Sequence, residues 1–180
     1  TMRSFYSGSF WALLNPFALL SGVVSLSLLS LQGATFLSHR TDGDLQVRAS
    51  QAACILVIVL LATFSLAGFW VSRIDGYVIQ SIGDIGGTLS PLMKEVGRVP
   101  GAWFANYDKM PILWLIPALA YLGGMVVLLA LRAGWTLLAF IGSSLACVSV
   151  ILTAGVALFP FILPSSEMPK ASLTAWDATS

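Results

Sequence analysis

Four long stretches of this chain are apolar almost without interruption, and every charged residue falls between or beyond them. The first runs from about Leu13 to Leu37, the second from Ala49 to Val71, the third from Pro111 to Leu131 and the fourth from Trp135 to Pro160. Crossing a bilayer as an α-helix takes about 20 mostly apolar residues, so each stretch is long enough. None contains Asp, Glu, Lys, Arg or His. Hydrocarbon penalises an ionised side chain by several kcal/mol, and the charges respect that limit. The pattern predicts an all-α fold: a polytopic transmembrane helical bundle of four spans, one membrane domain over residues 1–180.

The connections differ in kind. A polar turn, Ser38–Arg48, joins the first two spans and carries the turn signal Asp42-Gly43. Only Arg132-Ala133-Gly134 separates the last two, which predicts a tight antiparallel hairpin. The long loop, about Ser72 to Met110, contains Gly83, Gly86 and Gly87 and then Ser90-Pro91. Proline after a capping serine suits a helix start, so a short interfacial helix is expected near Pro91–Gly97, ended by Pro100-Gly101. Trp103, Phe104 and Tyr107 follow as an aromatic anchor at headgroup level.

Composition narrows the class further. The chain is 57% hydrophobic and 9% charged, against about 25% charged in an ordinary soluble domain. Too few charges remain to coat a water-facing surface, which excludes a soluble enzyme, a disordered tail and a nucleic-acid binder. No cleavable signal peptide is expected, and the chain reads as a piece of a longer polypeptide. Cys54 and Cys147 both lie in apolar runs and read as small hydrophobes, not as a disulfide or metal framework.

Orientation is not decided by charge. Arg3, Arg73, Lys94, Arg98, Lys109 and Lys170 share the side of the termini and long loop with six acidic residues. Arg40, Arg48 and Arg132 are concentrated in the two short loops. Raw count puts the long loop inside; density in short loops puts it outside.

Candidate chemistry is sparse. Transporters and proton pumps carry ionisable groups at membrane depth, and these spans have none. Haem ligation needs paired His or His and Met ligands, whereas His39 is the single histidine, at the end of the first span. No catalytic, cofactor-binding or metal-binding residue is therefore assigned. A phosphate-binding loop is set aside because the loop glycines follow no convincing strand. Gln32 is the most polar side chain inside a span and reads as an interhelical hydrogen-bond former. Small residues at helical spacing, Ser21, Gly22, Ser25, Ser30, Gly33 and Ala34 in span one and Gly142, Ala146, Ser149 and Thr153 in span four, read as packing faces. At the boundaries, Arg73 and Asp75 can pair locally or with a partner subunit, and Tyr77 and Trp103 can touch a quinone headgroup or simply anchor the interface. Trp176 and Asp177 sit where a further span would begin. These six are the candidate subunit-contact or quinone- and lipid-contact residues. On residues alone, a fragment of a helical-bundle transporter or channel is the alternative reading.

Several strings reach further. GATFLSHRTDGDLQVRA after span one, RIDGYVIQS after span two, LMKEVGRVPGAWFANYDKMPILWLIPAL before span three, then ILTAGVALFPFILPSS and ASLTAWDATS, resemble subunit II of cytochrome bd-type quinol oxidases. The match runs in order through loops as well as spans. The resemblance implies a family subunit of eight spans, of which these would be the fourth to seventh. It implies a partner, subunit I, that carries haem b558, haem b595, haem d and the quinol-oxidising loop. The complex would oxidise quinol, reduce O2 to water and build a proton gradient in the bacterial cytoplasmic (inner) membrane. Subunit II would stabilise that assembly and contribute to a proton path, without binding haem itself, and in some members it holds a structural quinone. Quinone, lipid and a small single-span accessory subunit complete the expected partners; nucleic acid is not among them. The acidic residues credited with proton transfer would lie in the family's N-terminal portion. The resemblance also places the long loop on the periplasmic side, and gives Trp176 and Asp177 a subunit-packing or helix-start role.

Overall fold

A computed structural model of the chain describes residues 14–81, 95–165 and 169–175. Four of its helices are long and apolar enough to cross a membrane. Helix α1 is Pro16–Arg40 and α2 is Gly43–Val71. After the extramembrane segment, a 3-10 turn at Pro111–Trp114 leads into α4, Leu115–Arg132, and α5 is Thr136–Leu158. The start of α1 follows the chain's local chemistry. Pro16 takes the first helical position and the Asn15 side chain accepts a hydrogen bond from Ala18 N at 2.7 Å.

Two helices run further than hydropathy suggests. The expected turn Ser38–Arg48 shrinks to Thr41 and Asp42, because α1 continues through His39 and Arg40 and α2 starts at Gly43. Polar residues obstruct membrane burial but not helical hydrogen bonding, so the helices extend past the apolar runs into the boundary. The hairpin between α4 and α5 is as short as expected, with Gly134 at φ 76° in the left-handed region that glycine tolerates.

The spans form two antiparallel hairpins, α1–α2 and α4–α5, laid side by side so that α1 packs on α5 and α2 on α4. Their core holds Val24, Leu28 and Leu31 of α1, Ala53, Val57 and Leu60 of α2, and Val127 of α4. In span four, Gly142, Ala146 and Ser149 are buried as expected. In span one the small-residue face is corrected: Gly22 and Gly33 have open space around them. The buried stripe there is Val24, Ser27, Leu28, Leu31, Ala34, Thr35 and Ser38. The closest backbone approach comes instead from α4. A Cβ on Gly123 would lie 2.7 Å from Gly142 O and 2.8 Å from Ala146 N, both backbone atoms of α5. Lipid offers no hydrophobic force between helices, so such contacts carry the packing.

The long loop departs most from expectation. Strand β1, Asp75–Ser81, pairs antiparallel with β2, Glu95–Pro100, placing Tyr77 opposite Arg98 and Val78 opposite Gly97. Glu95–Gly97 are thus strand, not the end of an interfacial helix; residues 91–94 lie outside the described residues. Among the described residues the loop carries a short helix, α3, Ala105–Lys109, preceded by a 3-10 turn at Ala102–Phe104. A strand also does lead directly toward Gly83, Gly86 and Gly87, contrary to the sequence reading, although those glycines lie outside the described residues. A second pair, β3 (Phe161–Leu163) with β4 (Leu173–Thr174), follows α5.

Candidate functional site

Four of the six sequence-chosen residues fall on the extramembrane hairpin and its approach. Tyr77 and Trp103 meet edge to face at 5.5 Å between ring centroids, and Phe161 adds a third ring 6.0 Å from Tyr77. The Arg98 guanidinium lies 5.7 Å from the Tyr77 ring. Gly76 permits this arrangement, since a Cβ there would come within 2.7 Å of Trp103 N and 2.8 Å of Ala102 Cβ. Arg73 and Asp75 are not brought together. Arg73 lies over Phe69 at 4.5 Å, and Asp75 is exposed at the start of β1. No ion pair joins them among the described residues. Trp176 and Asp177 lie outside the described residues.

The loop is fastened to the spans through Tyr107, expected only as an aromatic anchor, and through Asn106, which the sequence reading did not single out. The Asn106 amide donates to Val156 O at 2.8 Å and Phe159 O at 2.6 Å, and the Tyr107 hydroxyl donates to Thr153 O at 2.9 Å. Val156 O and Phe159 O belong to the C-terminal end of α5, where helix acceptors lose their own partners, and Thr153 O lies one turn further in. Tyr107 is 1% exposed, and burial pushes its phenol above the ordinary value of 10.0. Phe104 and Trp114 stack nearly parallel at 5.8 Å, with Tyr107 5.1 Å from Trp114.

Beneath this aromatic cap lies a largely apolar cavity of ≈ 940 Å³ between the four spans. Tyr107 and Trp114 close it toward the long loop, and the hydroxyl pair Ser65–Tyr121, 2.7 Å apart, edges it between α2 and α4. Its size and lining suit an apolar tail with a small polar head.

Deeper in the bundle, Gln32 does what its sequence position suggested. Its Nε2 donates to Ser144 Oγ at 2.8 Å and its Oε1 accepts from Ser143 Oγ at 2.7 Å. Thr35 Oγ1 and Ser143 Oγ lie 2.8 Å apart. Among the described residues, no buried side-chain nitrogen or oxygen lacks a partner. Near the short-loop end, His39 Nδ1 lies 3.2 Å from Thr136 Oγ1, so the single histidine is engaged with α5 and faces no second ligand. Among the described residues, no three His, Cys, Asp or Glu side chains gather as a metal site.

A satisfied bundle, a fastened loop and unassigned chemistry leave comparison with known proteins to decide the family. The model of cytochrome bd terminal oxidase subunit II matches residues 1–180. The chain belongs to that family. This subunit II chain is 49% identical over 180 residues to the cytochrome bd-I ubiquinol oxidase subunit 2 of Escherichia coli (strain K12), covering 99% of the chain and 48% of that protein. It is 47% identical over 175 residues to the probable cytochrome oxidase subunit 2 of Haemophilus influenzae, covering 97% of the chain and 46% of that protein. The chain spans about half the length of the curated relatives it matches. Its four spans and its family make it a multi-pass protein of the bacterial inner membrane. Subunit II residues overlooked in the sequence are Asn106, Tyr121 and Gly123. Tyr107 reads from sequence only as an aromatic anchor, and Asn106 carries no signal until the end of α5 is known to lie beside it.

Proposed function

We propose that this chain is part of the membrane subunit that supports a quinol-oxidising, O2-reducing terminal oxidase, stabilising the haem-bearing subunit I without binding haem. The observation that carries this reading is family membership over all 180 residues, with one relative named as a ubiquinol oxidase subunit. The bundle is consistent with support: its polar groups satisfy one another, and its spans offer no ionisable side chain at depth. Any contribution to the proton path would then draw its ionisable groups from outside these residues. Much of the apolar surface of the spans is exposed, including Leu26 at 67% and Leu29 at 71%. Lipid, the remaining half of the subunit and subunit I are its occupants in this reading, with a small accessory subunit as a further neighbour.

Arg73, Asp75, Tyr77 and Trp103 form the extramembrane face assigned to subunit contact or to a quinone headgroup, and Trp176 and Asp177 are assigned to subunit packing. The ≈ 940 Å³ cavity offers room, among the described residues, for part of a structural quinone. In the full-length complex, Asp75→Ala and Asp177→Ala should lower haem d content and oxygen consumption in proportion, because assembly fails before chemistry does. Normal haem content with lost turnover would overturn the supporting role.

A further inference from the structure

At the short-loop end of the bundle, α2 and the α4–α5 hairpin leave a groove of ≈ 690 Å³ between them. Its α2 wall is a helical stripe, with Gln46, Ser50 and Cys54 spaced four apart and Gln51 and Ile55 beside them. Arg132 and Thr136 stand on the opposite wall. From Gln46 to Ile55 the helix rises about 13 Å, so the groove begins in the first turn of α2 and runs into hydrocarbon. It is graded accordingly: amide, hydroxyl and guanidinium groups at the mouth, a thiol and an aliphatic side chain further in.

Three features point to one ligand chemistry. Arg132 is exposed, and no ion pair with a carboxylate occupies it among the described residues. The acidic residues of this end, Asp42 and Asp44, do not line the groove. The groove opens sideways past Val47, 54% exposed, and Ile55, 64% exposed, so its occupant must match aliphatic side chains as well as the guanidinium. A soluble anion would use the first two features and leave the third unexplained. A guanidinium fork matches phosphate oxygens, and basic pockets between spans at the membrane boundary take phospholipid headgroups.

We propose that this groove binds an anionic phospholipid, its phosphate on Arg132 beside Gln51 and Thr136, and one acyl chain along Cys54 and Ile55. The full-length subunit, extracted with its native partners and placed in nanodiscs of phosphatidylglycerol or of phosphatidylcholine, tests it by native mass spectrometry of retained lipid. Arg132→Gln should weaken phosphatidylglycerol retention roughly five-fold, the effect of one basic residue near a membrane surface, and leave phosphatidylcholine unchanged. Arg48→Gln, exposed on α2 but outside the groove, should change neither. Equal retention by wild type and Arg132→Gln would overturn the site, as would full displacement of the lipid by inorganic phosphate. Should the variant not accumulate, photoreactive phosphatidylglycerol on the wild-type protein decides: cross-links within residues 46–55 support the groove, and cross-links only elsewhere refute it.

Discussion

A Cβ on Gly123 would lie 2.7 Å from the carbonyl oxygen of Gly142, so α4 and α5 touch backbone to backbone. Nothing flexible stands between them to yield. Gly123→Ala should therefore force the hairpin apart and cost about 1–3 kcal/mol, the range for overpacking a filled interface. Gly22→Ala, with open space around it, should be neutral or slightly stabilising. Thermal unfolding of the purified protein in detergent compares the two, and equal effects would show that the close approach is unimportant.

Gln32→Leu removes hydrogen bonds from α1 to Ser143, Ser144 and the Cys147 thiol of α5 but leaves Ser143 and Ser144 bonded to Phe140 O. The expected loss is small, about 0.6–2 kcal/mol. Gln32→Glu should behave differently, because its ionised form is penalised by several kcal/mol at membrane depth. Its unfolding midpoint should fall as pH rises, while that of Gln32→Leu follows the wild-type pH curve. Parallel pH dependence in the two variants would argue that position 32 is wet.

Asn106→Ala strips two end carbonyls of α5 of their donor. Leaving the partly buried Val156 acceptor unmade costs about 1–3 kcal/mol where water cannot replace the donor, whereas the exposed Phe159 carbonyl can turn to water. Hydrogen exchange should speed up through α3 and the last turn of α5 and remain unchanged at Gln32. Uniform acceleration across the bundle would instead indicate global destabilisation.

Tyr107 gives a pH signature. Burial raises its phenol above 10.0, so the folded protein holds a proton that the unfolded chain releases first. Stability from this group is full below pH 10.0 and declines as pH rises from there through the raised folded value. Tyr107→Phe should remove that decline, as read from unfolding midpoints across alkaline pH. A wild-type curve matching that of Tyr107→Phe would mean the phenol is solvated.

What the sequence by itself determined is the membrane architecture. Spans, the Gly134 hairpin and the interhelical role of Gln32 were legible, because each rests on local composition or on one residue's chemistry. The solvation cost of a charge in hydrocarbon acts on each segment wherever it packs. The family was legible too, through loop strings such as RIDGYVIQS that composition alone does not generate. Tertiary structure decided the rest. Residues 75–81 and 95–100 become strands because they find each other across an intervening segment, and Ser90-Pro91 cannot announce that. Small residues in α1 and α4 look alike in sequence, yet Gly22 faces open space and Gly123 meets backbone. Asn106 gains meaning only from the end of α5, some fifty positions further along. Packing partners and unsatisfied helix ends are properties of distance in space, and one-dimensional patterns hold no record of them.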